Sequence, residues 1–207
     1  MMEGFLLFAI AFVASLLGSL QAGPVNLAVL HTTLRQGQRA GLRVAVGGSL
    51  PELLYAGLAA AGGERLGLMN GSLVLAGLTA LVLLGAGALL LRNAARPAPA
   101  PPPEGYHLGR GLLLGLINPQ LLAFWGLVWL NASPSFTRDA GWPAWLAFGS
   151  GAASGAFTLL LGVIKLAERL QATLAKWPAG RLDRWLGGLL LVLGLLQTGQ
   201  LLAHYAG

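Results

Sequence analysis

Apolar residues along this chain come in long unbroken runs, not in the one-sided or alternating patterns of a soluble fold. Lys, Arg, Asp and Glu are absent from residues 4–34, 66–91, 111–137, 140–164 and 185–207, and residues 44–63 hold one, Glu52. A helix needs roughly 20 apolar residues to cross a hydrocarbon core, and each of the six runs can supply them. A barrel strand would alternate over about 10 residues, and none of the runs does. The pattern predicts an all-α integral membrane protein with six transmembrane helices. The start, Met1-Met2-Glu3-Gly4, lacks the basic region of a signal peptide. The run behind it is too long for a signal-peptide core, so it is expected to remain as the first helix.

Composition agrees. Of 207 residues, 56% are hydrophobic and 10% charged, where a soluble domain carries nearer a quarter charged. The net charge of +6 would suggest nucleic acid in a soluble protein. Here the basic residues sit in short connections, so topology and lipid headgroups account for them and no nucleic-acid partner is expected. The absence of cysteine excludes disulfides and thiolate chemistry. The first, third and fifth connections carry Arg35, Arg39, Arg43; Arg92, Arg96, Arg110; and Lys165, Arg169, Lys176, Arg181, Arg184, which is eleven of the thirteen basic residues. The second and fourth hold Arg65 and Arg138, beside Glu64 and Asp139. The positive-inside rule then places a multi-pass protein in the cytoplasmic membrane with both termini outside the cytoplasm.

The third connection contains Pro97-Ala98-Pro99-Ala100-Pro101-Pro102-Pro103, a composition that favours a semi-rigid polyproline spacer. It divides the chain into a first half, residues 1–91, a Pro-rich cytoplasmic linker, 92–104, and a second half, 105–207. Three helices per half is an odd number. The second half therefore enters the membrane opposite to the first, as a 3+3 inverted-topology repeat.

Both halves interrupt their first segment with proline. One break is Gln21-Ala22-Gly23-Pro24-Val25-Asn26, and the other is Ile117-Asn118-Pro119-Gln120. Proline removes a helical hydrogen bond and clashes with the preceding turn. Eleven residues separate Pro24 from Arg35 and twelve separate Pro119 from Asn131, so each later half-helix spans roughly 17 Å, about half of the core. Broken helices in corresponding positions mark transporter sites. The N-terminus of each new half-helix can hold an anion such as a carboxylate, and freed carbonyls can hold an ammonium. The candidate binding residues are Gly23, Pro24, Asn26, Asn118, Pro119 and Gln120. The stretch before Pro24 is longer than the approach to Pro119, which predicts tilt, overhang or unwinding near Ser19–Gly23.

Glu52 lies eight residues beyond Val44, roughly 12 Å along the second segment. A carboxylate at that depth costs at least about 2.5–3.5 kcal/mol on insertion scales and marks an ion or proton path, so Glu52 is the candidate proton-coupling residue. Pro51 is expected to kink the same helix. Small residues four apart, Ser150/Ser154, Gly151/Gly155, Ala152/Ala156 and Gly57/Ala61, predict close helix packing, and Gln197 and Gln200 predict hydrogen bonds within the bundle. Lys165 is expected to end the fifth segment and snorkel. The tryptophans other than the deeper Trp125 are expected to anchor at the interfaces.

Ala22-Gly23-Pro24-Val25-Asn26, followed by Leu34-Arg35-Gln36-Gly37-Gln38-Arg39-Ala40-Gly41-Leu42, resembles the opening of the lysine-exporter (LysE) family. That family pairs Pro-Gly-Pro and an aliphatic run with Arg-x-Gly-x-x-x-Gly. Gly111 to Gln120 resembles its fourth helix, which carries Asn-Pro-Lys. The resemblance implies a six-helix amino-acid efflux permease driven by the proton gradient, and is compatible with a homodimer. Ala22, Gln120 and Pro51 depart from the family pattern. Losing the lysine at Gln120 removes a positive charge beside the second break, which leaves the choice of substrate open.

Two other readings follow from the residues. A membrane serine protease would need Ser154 and His204 together, but their predicted depths differ by well over 10 Å, whereas a nucleophile and base need about 3 Å. An exporter of a metal ion or other inorganic solute would want clustered His or carboxylates, whereas His31, His107 and His204 are dispersed. No Walker sequence or cofactor fingerprint appears, so no cofactor is expected.

Overall fold

The computed structural model describes residues 2–20, 23–62, 73–94, 106–118, 120–132, 141–174 and 181–206. Every regular element among them is helical: α1 Met2–Gly18, α2 Pro24–Gln36, α3 Gln38–Gly62, α4 Leu73–Asn93, α5 Tyr106–Leu116, α6 Gln120–Ala132, α7 Trp142–Leu174 and α8 Arg181–Ala206. The first and fourth apolar runs are each split in two, α1/α2 and α5/α6, as their prolines require. The Pro-rich stretch from 95 onward falls outside the described residues.

Two helices, within Gln38–Ala61 and Trp142–Thr173, are long and apolar enough on their own to cross a membrane. Several polar side chains are buried while many large aliphatic ones are exposed. Ser15, Thr32, Thr33, Ser49, Glu52 and His107 are buried, while Leu17, Leu81, Leu113, Val192 and Leu195 are each more than half exposed. That distribution suits a hydrocarbon solvent, which accepts aliphatic side chains and rejects unsatisfied polar ones.

α1 packs on α7 and α5 packs on α3; α2 touches α7 and α6 touches α3; α3 meets α7, and α4 meets α8. Exchanging the first four helices for the last four maps these contacts onto one another, but α2 also packs closely on α3, and no comparably close α6–α7 contact answers it among the described residues. The direction of each contact is set by glycines. A Cβ at Gly151 would meet Phe8, and one at Gly155 would meet Phe12 and Ser15, so α1 and α7 run parallel. Gly111 abuts the Val44 carbonyl and Gly115 abuts Gly48 and Pro51, so α3 and α5 are parallel too. Gly187 meets Gly87 and Leu91 while the later Gly194 meets Leu84, so α4 and α8 are antiparallel. These backbone approaches leave no room for side chains, which is how small residues join helices where lipid supplies no hydrophobic drive. Gly57 packs through its backbone alone, since a Cβ on Gly149 of α7 would lie 3.6 Å from the Gly57 nitrogen. Nothing lies within 4 Å of where its Cβ would be, and Ala61 is exposed, because that face of α3 turns outward.

α7 continues to Leu174, beyond the Lys165 where the apolar run ends. Leu, Ala, Glu, Arg and Gln after Lys165 are strong helix formers, so the helix persists after hydrophobicity stops. Trp142 and Trp185, at the starts of α7 and α8, are 67% and 63% exposed, as interface anchors would be.

Candidate functional site

At the first break α1 ends at Gly18 and α2 starts at Pro24. α1 tightens as it ends, with the Ser19 amide donating to Ser15 O and the Leu20 amide to Leu17 O. Gly23 is extended (φ −113°, ψ 173°) and Pro24 occupies the first helical turn of α2, where its missing N–H costs nothing. The Asn26 side-chain amide donates to Ser19 O at 2.6 Å. It therefore ties the start of α2 to the frayed end of α1 across the break.

The second break uses a different device. The Ile117 and Asn118 amides donate back to Leu113 O and Gly115 O, and the Leu121 amide donates to Asn118 O, starting α6. Tyr55 of α3 donates its hydroxyl to the Leu116 carbonyl at 2.7 Å, an acceptor that an uninterrupted helix would have bonded internally. Removing that donor should cost about 1 kcal/mol. Y55F is expected to lower the thermal midpoint of detergent-purified protein by roughly 2–4 °C, measured by intrinsic fluorescence. An unchanged midpoint would mean that water satisfies Leu116 equally well.

Both breaks come together on α3. A Cβ on Gly48 would strike Val25, the residue after Pro24, and a Cβ on Gly115, three residues before Asn118, would lie 3.2 Å from the Gly48 carbonyl and 2.6 Å from Pro51 Cγ. Gly18, at the end of α1, packs under the Phe124 ring of α6. α3 remains helical through Pro51, so Pro51 does not interrupt the segment that carries both contacts. Pro119 and the Gln120 side chain lie outside the described residues.

One residue past Pro51, Glu52 is buried, and its carboxylate accepts a hydrogen bond from the Trp125 indole N–H. Trp125 is fully enclosed. Phe124 and Phe148 stand edge-on to its ring at centroid distances of 5.1 and 5.4 Å, a packing that fixes the indole's direction. The bond joins residues 73 apart in sequence, linking α3 to the half-helix that starts at the second break. Sequence placed Trp125 deep in the membrane, but nothing local revealed this partnership.

The described groove of about 550 Å³ lies between α1 and α6, lined by Ile10, Phe124, Leu127, Val128, Asn131 and Ala132. It is an open, apolar surface feature. Among the described residues no group of three or more His, Asp or Glu is placed to hold a metal ion. A family model described as "LysE type translocator" matches residues 5–198 of the chain. No curated protein and no solved structure matches.

Proposed function

The chain belongs to the LysE type translocator family, and from that premise we propose that it exports amino acids or similar small zwitterions across the cytoplasmic membrane, coupled to protons. The site in this reading lies at mid-membrane depth between the two proline-broken helices. Gly23, Pro24 and Asn26 belong to one break, and Asn118, Pro119 and Gln120 to the other. The observation that carries it is the meeting of Val25 and Gly115 on Gly48, which sets both helix interruptions beside Glu52. Half-helix N-termini there suit a carboxylate, and freed carbonyls suit an ammonium.

The wider architecture in this proposal is a 3+3 inverted repeat of six spans, with halves 1–91 and 105–207 joined by a cytoplasmic linker, 92–104, and both termini outside. The exchangeable contacts and the parallel pairs α1/α7 and α3/α5 support it, since an odd number of spans per half turns equivalent helices opposite ways. Glu52 suits the coupling role because, among the described residues, its one hydrogen-bond donor is neutral. It can take or release a proton without dismantling an ion pair.

The test is efflux of a panel of radiolabelled amino acids from loaded vesicles, run beside resistance to cadmium and manganese in cells that express the protein. Saturable efflux of at least one amino acid, driven by a proton gradient, is expected. Metal resistance with no amino-acid efflux would overturn the reading.

A further inference from the structure

The break region uses neither His107 nor the arginines around it. His107 is the second residue of α5, on its first turn, and is 7% exposed with no hydrogen-bond partner for its Nδ1. The Tyr106 ring stands edge-on against it at 5.6 Å. Arg110, one turn along, donates from Nη1 to Thr32 Oγ1 of α2 at 3.4 Å, and Thr32 is fully buried. Arg43 enters from α3, where the neighbouring Val44 carbonyl abuts Gly111. Both guanidiniums lie close enough to His107 to act on it electrostatically. Among the described residues neither arginine meets a carboxylate.

Two fixed positive charges, a helix N-terminus and an enclosed ring nitrogen without a partner make a set of groups suited to an anion, His107 contributing as its Nδ1–H tautomer. Arg110 is eight residues from Asn118, roughly 12 Å along α5, so an anion held there is one short step from the second break. We propose that the ends of α2, α3 and α5 form a carboxylate-receiving subsite. Arg43 and Arg110 hold the solute's anionic group there, and His107 supplies a further donor before the solute passes inward.

This subsite rests on the export reading and adds a substrate class to it: solutes bearing a free carboxylate, with neutral and acidic amino acids favoured over those with a second positive charge. The other source of such an anion is a lipid phosphate at the same depth.

The measurement is uptake into inverted vesicles, which present the cytoplasmic face, using the exported amino acid with its amide and its decarboxylated amine as competitors. R110Q should raise the half-saturating concentration about tenfold while the maximal rate stays within about twofold, the signature of lost ground-state binding. R110K should recover most of the loss, and H107Q should shift the same constant by less. Wild type should distinguish the acid from the amide, and R110Q should not. An unchanged half-saturation in correctly eluting R110Q overturns the subsite. So does an effect that vanishes in vesicles free of anionic lipid, which would assign the site to lipid phosphate. A binding readout needs no transport. The amino-acid panel should raise the unfolding temperature of purified wild type, and R110Q should remove the carboxylate-dependent part. A wild type that binds but does not export counts against the export reading; equal binding by both proteins counts against the subsite.

Discussion

Replacing Glu52 with glutamine is expected to uncouple the protein from the proton gradient while leaving solute exchange intact. Glutamine keeps the size of the side chain and an oxygen that can accept from the Trp125 indole, so the α3–α6 link survives. What disappears is the ability to bind and release a proton. If one proton enters for each solute that leaves, a one-unit gradient, acid outside, sustains a roughly tenfold solute ratio, since each unit is worth 2.303RT per proton. For wild type, lowering the external pH from about 7 to about 6 should therefore raise net efflux, and the ratio should approach that limit. In E52Q the ratio should fall to about one, and the response to external pH should flatten. Counterflow, in which labelled solute exchanges for unlabelled without net movement, should stay within a few-fold of wild type. Gradient-driven accumulation that persists in E52Q would remove Glu52 from the coupling step. Loss of counterflow as well would show that the side chain is structural.

The second large effect is expected at Gly48. Its missing Cβ lets Val25 at the first break seat directly on α3, while its carbonyl receives Gly115 near the second. A methyl group there must displace the Val25 side chain, whose χ1 is stiff in a helix and so pushes on the first turn of α2, and overpacking of this kind typically costs about 1–3 kcal/mol. Because that displacement moves one break relative to the other, transport should fall further than stability does. A loss of tenfold or more is expected for G48A, consistent with the penalty for misplacing binding groups by about 1 Å. G57A on the same helix is the control, since nothing lies within 4 Å of that position; it should transport like wild type. V25A added to G48A returns the space and should recover much of the activity. If G48A is as active as wild type, the two breaks do not act through this point of contact.

Much of this arrangement was legible because it follows from local covalent facts. Proline at 24 and 119, each beside Gly or Asn, disfavours a continuous helix, and the structure separates α1 from α2 and α5 from α6 where those residues fall, whereas α3 continues through Pro51. The burial of Glu52 was legible because a lone carboxylate in an apolar run is costly to leave facing lipid. The groups that complete the site were not. Trp125 reaches Glu52 across 73 residues, and Tyr55 reaches Leu116 across 61; neither spacing leaves a periodic trace. A structural partner of Asn26 was hidden for a similar reason. Its position beside Pro24 suggested a group facing solute, but the break frees Ser19 O only seven residues away, and the amide donates there. The extension of α7 past Lys165 was hidden because hydropathy reports the membrane's edge and says little about where a helix stops. Equivalent small-residue spacings were also ambiguous. Gly151 and Gly155 pack against α1, whereas Gly57 faces outward, and only the neighbours distinguish them.

If the two halves exchange roles as the proposed inverted repeat requires, the crossing of α4 and α8 bears on how they do it. Gly87 touches Gly187 and Leu191, and Gly187 touches Gly87 and Leu91, so this joint reads the same from either partner. A molecule whose halves trade places about such a joint does not need two separately evolved shapes. In the proposed inverted repeat, the inward-open and outward-open forms would be one shape with the roles of the halves swapped, differing in energy only through the residues that break the likeness. Ser15 against Gly155 on one side, and Pro51 against Gly115 on the other, are such residues. The resting preference of the protein is then written in its asymmetries.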